Sequence, residues 1–139
     1  MAFTPERAYE HIATAHEHGR LAHALLISGP NGCGKSELAA KIAWLLQGKA
    51  AKGFDLFGEP VVVTAPPLEE QENDAVQVVR PEKVSRIITV DRMRDVEERL
   101  HMACGRNVWK IVIIVDCDRM NTNAQNAFLK TLEEPPNNT

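Results

Sequence analysis

Apolar residues along the chain fall into two spacings, and the spacings alternate. Residues 22–28 hold a short continuous run, Ala24, Leu25, Leu26 and Ile27, whose length suits a strand buried on both faces. Residues 36–47 then carry Leu38, Ala39, Ile42, Ala43, Leu45 and Leu46 at helical spacing. Ahead of both, residues 5–18 predict a first helix. Thr4 is its N-cap, Pro5 its first residue and Gly19 its stop. Residues 75–80 return to strand character, and Pro81 closes them. Residues 90–103 read as an amphipathic helix with Val90, Met93, Val96, Leu100 and Ala103 on one face. The charges of residues 91–99 then form its solvated side. Residues 110–115 are a β-branched strand. A last helix runs to Glu134, capped by Asn121 or Thr122, with Ala124, Ala127, Phe128 and Leu132 inward and Pro135 and Pro136 at its end. Strands alternating with helices predict an α/β fold with a mostly parallel sheet. Residues 48–74 break the pattern. They hold three glycines, three prolines and the acids Glu69, Glu70, Glu72 and Asp74. They read as an irregular insertion, with residues 61–63 a candidate short strand.

Composition narrows the function classes. The chain has 139 residues, 44% hydrophobic and 25% charged, which suits one ordinary globular domain. No run approaches the roughly 20 apolar residues that span a bilayer. Residues 1–10 lack the pattern of a secretory signal. The formal net charge is −3, so contact with nucleic acid is expected only as part of an assembly. Cys33, Cys104 and Cys117 form neither a metal-ligand spacing nor a disulfide framework, which points to the cytoplasm. His11, His16, His18, His23 and His101 show no metal pairing either. Trp44 and Trp109 read as core.

The chemistry concentrates in Gly29-Pro30-Asn31-Gly32-Cys33-Gly34-Lys35-Ser36, which fits G-x-x-x-x-G-K-[ST] between the apolar run and the following helix. Glycines let backbone N–H groups turn inward around phosphates. The helix beginning near Lys35 aims its positive dipole end at the same anion. Lys35 reaches the β/γ-phosphates, and the Ser36 hydroxyl is a ligand for Mg²⁺. The expected cofactors are ATP and Mg²⁺.

Three segments together resemble one family. His23-Ala24-Leu25-Leu26-Ile27-Ser28-Gly29-Pro30 leads into the loop, and Ser85-Arg86-Ile87-Ile88-Thr89-Val90-Asp91 precedes a helix. Asn126-Ala127-Phe128-Leu129-Lys130-Thr131-Leu132-Glu133-Glu134-Pro135-Pro136 lies near the end of the chain. The chain is similar to the delta-prime and gamma/tau subunits of the bacterial DNA polymerase III clamp loader, which are AAA+ proteins. The resemblance implies a P-loop NTPase three-layer sandwich, incomplete here, since the sensor strand, the arginine finger, the lid and the collar are not in this sequence. A fragment or truncated product is therefore expected. In that fold the missing strand lies beside residues 22–28 and beside residues 110–115. The resemblance also implies partners: other clamp-loader subunits, the sliding clamp, and primer–template DNA through the assembly. Arg20 and His23 match a family segment beside the nucleotide, where the alternatives are contact with adenine or framing of the strand, and Arg86 and Arg106 are candidates to face a neighbouring subunit. Many members carry a four-cysteine zinc module after the loop helix. Residues 48–74 contain no cysteine, so no zinc is expected.

Hydrolysis in this class needs an aspartate on the metal followed by a glutamate on the attacking water. The strand here ends Ile113-Ile114-Val115-Asp116-Cys117-Asp118. One register sets Asp116 at the metal position and Cys117 at the glutamate position. The ungapped register, which is preferred, sets Val115 at the metal and Asp116 at the glutamate position. The pair is incomplete in both, and Asp118 lies past the strand. The expectation is a chain that binds nucleotide and hydrolyses it weakly or not at all. A P-loop kinase or small NTPase, and a non-catalytic remnant, are the alternatives.

Overall fold

A computed structural model describes residues 4–49, 53–54, 56–61, 64–102, 105 and 107–139. The chain divides into two compact units, Met1–Gln71 and Glu72–Thr139.

The first unit is built on two helices. Helix α1 spans Pro5–Glu17, with the Thr4 hydroxyl accepting from the Arg7 N–H at 3.3 Å and Pro5 in its first turn. Gly19 ends it with a φ of +65°. Gly19 donates to His16 O at 3.1 Å and Arg20 to Ala15 O at 2.8 Å, so a left-handed residue satisfies the last carbonyls. Helix α2 spans Lys35–Leu46 and buries Leu38, Ala40, Ile42 and Ala43. It ends the same way through Gly48, at φ +73°, with Gly48 donating to Leu45 O and Lys49 to Trp44 O. The insertion holds short elements. Strands β1, Gly53–Phe54, and β2, Pro60–Val61, pair antiparallel. The expected strand at 61–63 is thus present at Val61, and residues 62–63 lie outside the described ones. The four-residue helix α3, Leu68–Gln71, packs on α2 with Leu68 and Gln71 buried.

One expectation fails here. Residues 22–28 form no strand, and they are not buried on both faces: Leu25 is 46% and Leu26 80% exposed. A strand exists only where a neighbour takes its N–H and C=O groups, and no described strand pairs with this segment.

The second unit holds the parallel pair. Strand β3, Val76–Val79, is buried throughout and runs parallel to β4, Ile111–Ile114, in the register Val76↔Ile111 to Val79↔Ile114. The Asn73 side chain starts β3 by accepting from Ala75 N–H at 2.8 Å and Val76 N–H at 3.0 Å. Helix α4, Val90–Leu100, connects the strands. Thr89 caps it through the Arg92 N–H, and Met93, Val96 and Leu100 are buried. It ends before the expected residue 103, which lies outside the described residues, as do Cys104 and Arg106. Lys110 donates from Nζ to the Leu100 carbonyl at 2.6 Å and covers that helix end. Helix α5, Thr122–Glu133, is capped by Asn121, whose side chain accepts from Ala124 N–H at 2.9 Å. The core joins Val79, Ile88, Met93, Val96, Leu100 and Ala124, with Phe128 packed against it. Leu132, expected inward, is 37% exposed. Ala124 and Thr131, seven apart, set the buried line of α5, and Leu132 falls one position off it.

Candidate functional site

The loop at residues 29–36 turns through two left-handed glycines, Gly32 at φ +79° and Gly34 at φ +93°. Left-handed backbone is open to glycine and strained for other L-residues. Gly34 is also the N-cap position of α2, and no side chain caps that helix end. The donors of its first turn, normally met by a cap, are therefore left to an incoming acceptor. Lys35 is the first residue of α2, and its Nζ donates to the Gly29 carbonyl at 2.5 Å across the loop. Cys33 N–H donates to Pro30 O at 3.4 Å, closing the turn from inside. Gly29 is constrained from another side: a Cβ there would stand 2.8 Å from Cys33 Sγ. Ser36, the second residue of α2, is exposed, with a hydroxyl suited to a hard cation. A helix N-terminus without a side-chain cap, a lysine at its first position and left-handed glycines together make an arrangement suited to a multiply charged oxyanion.

Beside the loop is a cavity of about 290 Å³. Thr4, Pro5, Ala8 and Ile12 of the α1 side form one wall, residues 25–28 another, and residues 33–35 with Leu38 the third. The α1 wall was not singled out from the sequence. Its signal was present in the spacing of Thr4, Ala8 and Ile12, which share a helical face, but nothing local says what that face covers. Arg20 and His23 are exposed and do not line this cavity. A larger open groove of about 510 Å³ lies between α4 and α5, lined by Val90, Arg94, Asn123, Asn126 and Ala127. It contains none of the loop's residues.

Asp116 belongs to the second unit. Strand β4 continues its ladder to Val115, whose N–H donates to Val79 O at 2.9 Å. The chain then turns at Asp116, a non-glycine residue in the left-handed region at φ +53°, ψ +53°. Asp116 is exposed and begins a 3-10 turn, Cys117–Arg119, where its carbonyl accepts from Arg119 N–H at 2.8 Å. It thus sits at the carboxyl end of a parallel strand, where ligands of open α/β sheets bind. Val115 is half-buried and Asp118 exposed within the 3-10 turn. Among the described residues no cluster of three or more His, Cys, Asp or Glu is placed to hold a metal ion. Cys33 is exposed and Cys117 half-buried, both as free thiols. Arg86, exposed, occupies a left-handed turn at φ +57°. Among the described residues no helix is long and apolar enough to cross a membrane.

Comparison with known proteins bears on this arrangement. The model of the family described as DNA polymerase III, delta subunit, matches residues 4–139. DNA polymerase III subunit tau of Bacillus subtilis is 31% identical over 153 residues, covering 96% of this chain and 24% of that protein. DNA polymerase III subunit delta' of Pseudomonas aeruginosa is 36% identical over 120 residues, covering 85% of this chain and 35% of that protein. DNA polymerase III subunit tau of Escherichia coli is 30% identical over 131 residues, covering 91% of this chain and 20% of that protein. The chain spans about a fifth to a third of the length of these relatives.

Proposed function

The chain belongs to the DNA polymerase III delta-subunit family, of the AAA+ clamp-loader type, and on that premise we propose that it serves in DNA replication as a nucleotide-binding clamp-loader subunit that hydrolyses ATP weakly or not at all. The observation that carries this reading is the start of α2, where Lys35 stands at the first position of a helix with no side-chain cap, behind left-handed Gly32 and Gly34. In this role the backbone of residues 29–34 cradles the phosphates. Lys35, now on the Gly29 carbonyl, would serve the β/γ-phosphates, and the Ser36 hydroxyl would hold Mg²⁺. The magnesium ion supplies charge neutralisation at the phosphates when bound.

Weak hydrolysis follows from the acidic end of β4. The positions that carry an Asp-Glu pair in competent members hold Val115-Asp116 or Asp116-Cys117, so either the metal ligand or the water-orienting carboxylate is missing. Such a chain works by packing in a ring with gamma/tau-like subunits and acts with them on the sliding clamp. With a formal charge of −3, it meets primer–template DNA within that assembly in the cytoplasm.

A titration of the purified chain with a fluorescent ATP analogue and Mg²⁺ tests the proposal. Saturable binding that is lost in Lys35→Ala is expected. Strong hydrolysis by the unaltered chain, abolished by Lys35→Ala, would defeat the non-hydrolysing part. No binding at all would defeat the nucleotide role.

A further inference from the structure

The turn of the β1–β2 hairpin carries Leu56 and Phe57 side by side, the first fully and the second 90% exposed, with Gly58 behind them at φ +77°. A Leu-Phe pair held out in water at a tight turn has the shape of an anchor for an apolar pocket. Its surroundings are acidic. Residues 53–79 contain six Asp and Glu and no Lys or Arg, and Asp55 and Glu59 flank the pair in sequence. The rest of the chain holds all 16 Lys and Arg against the other 13 of its 19 acids. The receptor that fits such a turn is an apolar hollow with a cation and no carboxylate on its wall.

This chain carries such a hollow. The cavity of about 290 Å³ beside residues 25–28 has apolar walls from Pro5, Ala8, Ile12, Leu26 and Leu38, with Lys35 at one end. Among the described residues no Asp or Glu lines it. Leu25 and Leu26 reach solvent there, and residues 25–28 make no backbone hydrogen bond to another described residue. An incoming turn is therefore held by burial and by open backbone groups together. We propose that the Leu56-Phe57 turn of one copy of this chain docks in the hollow of a second copy. Turn against turn is disfavoured, since it brings two acidic segments together. Turn and hollow are different patches, so the contact is heterologous, and its repetition builds an open chain or a closed ring. The area covered is small, which places the contact in the weak, transient class.

Analytical ultracentrifugation of the whole chain from about 10 μM to 1 mM, the range of weak affinities, tests this. The sedimentation coefficient is expected to rise with concentration. Leu56→Ser combined with Phe57→Ser removes the anchor. Leu26→Glu, at an 80% exposed position, sets a carboxylate on the hollow against the acidic turn. Each variant should stay monomeric throughout that range. All three positions are exposed, so the Trp44 urea transition at the dilute end should match that of the unaltered chain and report both variants folded. An equimolar mixture of the two variants should associate again, because one keeps its hollow and the other its turn, and it should stop at pairs. A constant sedimentation coefficient in the unaltered chain overturns the inference. So does association that persists in either variant, or a mixture that stays monomeric.

Discussion

Gly29 and Gly34 are required for different physical reasons, and substitution separates them. A Cβ on Gly34 would meet Pro5 Cγ at 3.6 Å and Glu37 Oε2 at 3.8 Å, which is ordinary contact. The obstacle there is the backbone, at φ +93°. Gly34→Ala should therefore cost about 1–2 kcal/mol in urea unfolding, the strain of a left-handed L-residue. Gly29 has no such backbone constraint, but its Cβ would lie 2.8 Å from Cys33 Sγ. Gly29→Ala should destabilise the chain less when Cys33→Ala is also present, with a coupling of about 0.5 kcal/mol or more in a double-mutant cycle. Additive effects would show that the sulfur moves aside freely. Gln71 makes a third case. It is buried, and its Nε2 donates to Ala40 O at 2.9 Å and Pro66 O at 2.8 Å, while its Oε1 accepts from Gln47 Nε2 at 3.0 Å. Gln71→Leu removes these three hydrogen bonds at a buried site and should cost about 1–3 kcal/mol. Gln47→Leu, at a half-buried site that water reaches, should cost less.

Among the elements, caps decide the ends where burial decides the faces. Thr89 and Asn121 each accept from a first-turn N–H, of α4 and α5 respectively. Thr89→Ala and Asn121→Ala should each lower stability by about 1 kcal/mol in chemical denaturation. Replacement by Asp should retain most of that stability, since its carboxylate accepts the same bond. These helices were legible in the sequence because cap chemistry and helical spacing are local. The start of α2 was legible for the same reason, since the glycine and lysine positions of residues 29–36 form a local pattern. Residues 22–28 were not, because an apolar run says that a segment can be buried but not which neighbour completes its ladder. Leu132 was misread by one helical position, the difference between the buried line and its exposed edge. Helix α3 and the β1–β2 hairpin are four and two residues per element, too short to display any period. The α1 wall of the cavity depends on packing between elements, and a single helix cannot announce it.

At the scale of the molecule, the two compact units each contain one tryptophan, Trp44 in α2 and Trp109 just ahead of β4, so each unit carries its own optical reporter. Trp44 is a sensitive one: Lys49 Nζ lies 5.0 Å from its ring centroid, and its buried Nε1 has no hydrogen-bond partner among the described residues. In Trp109→Phe the fluorescence change on urea unfolding follows the first unit alone, and in Trp44→Phe it follows the second. A ligand that binds only the folded state stabilises it by RT ln(1 + [L]/Kd), about 2.7 kcal/mol at 100 times Kd. With saturating ATP and Mg²⁺ the Trp44 transition should therefore move to higher urea, and Lys35→Ala should abolish the movement. The Trp109 transition is the informative comparison. The Trp109 signal should stay in place if the second unit unfolds independently of the loop, and a single ΔG for the whole chain is then undefined. If both signals move together by the same amount, the chain unfolds as one cooperative body, and nucleotide bound at Lys35 stabilises β3, β4 and the Asp116 turn as much as α2.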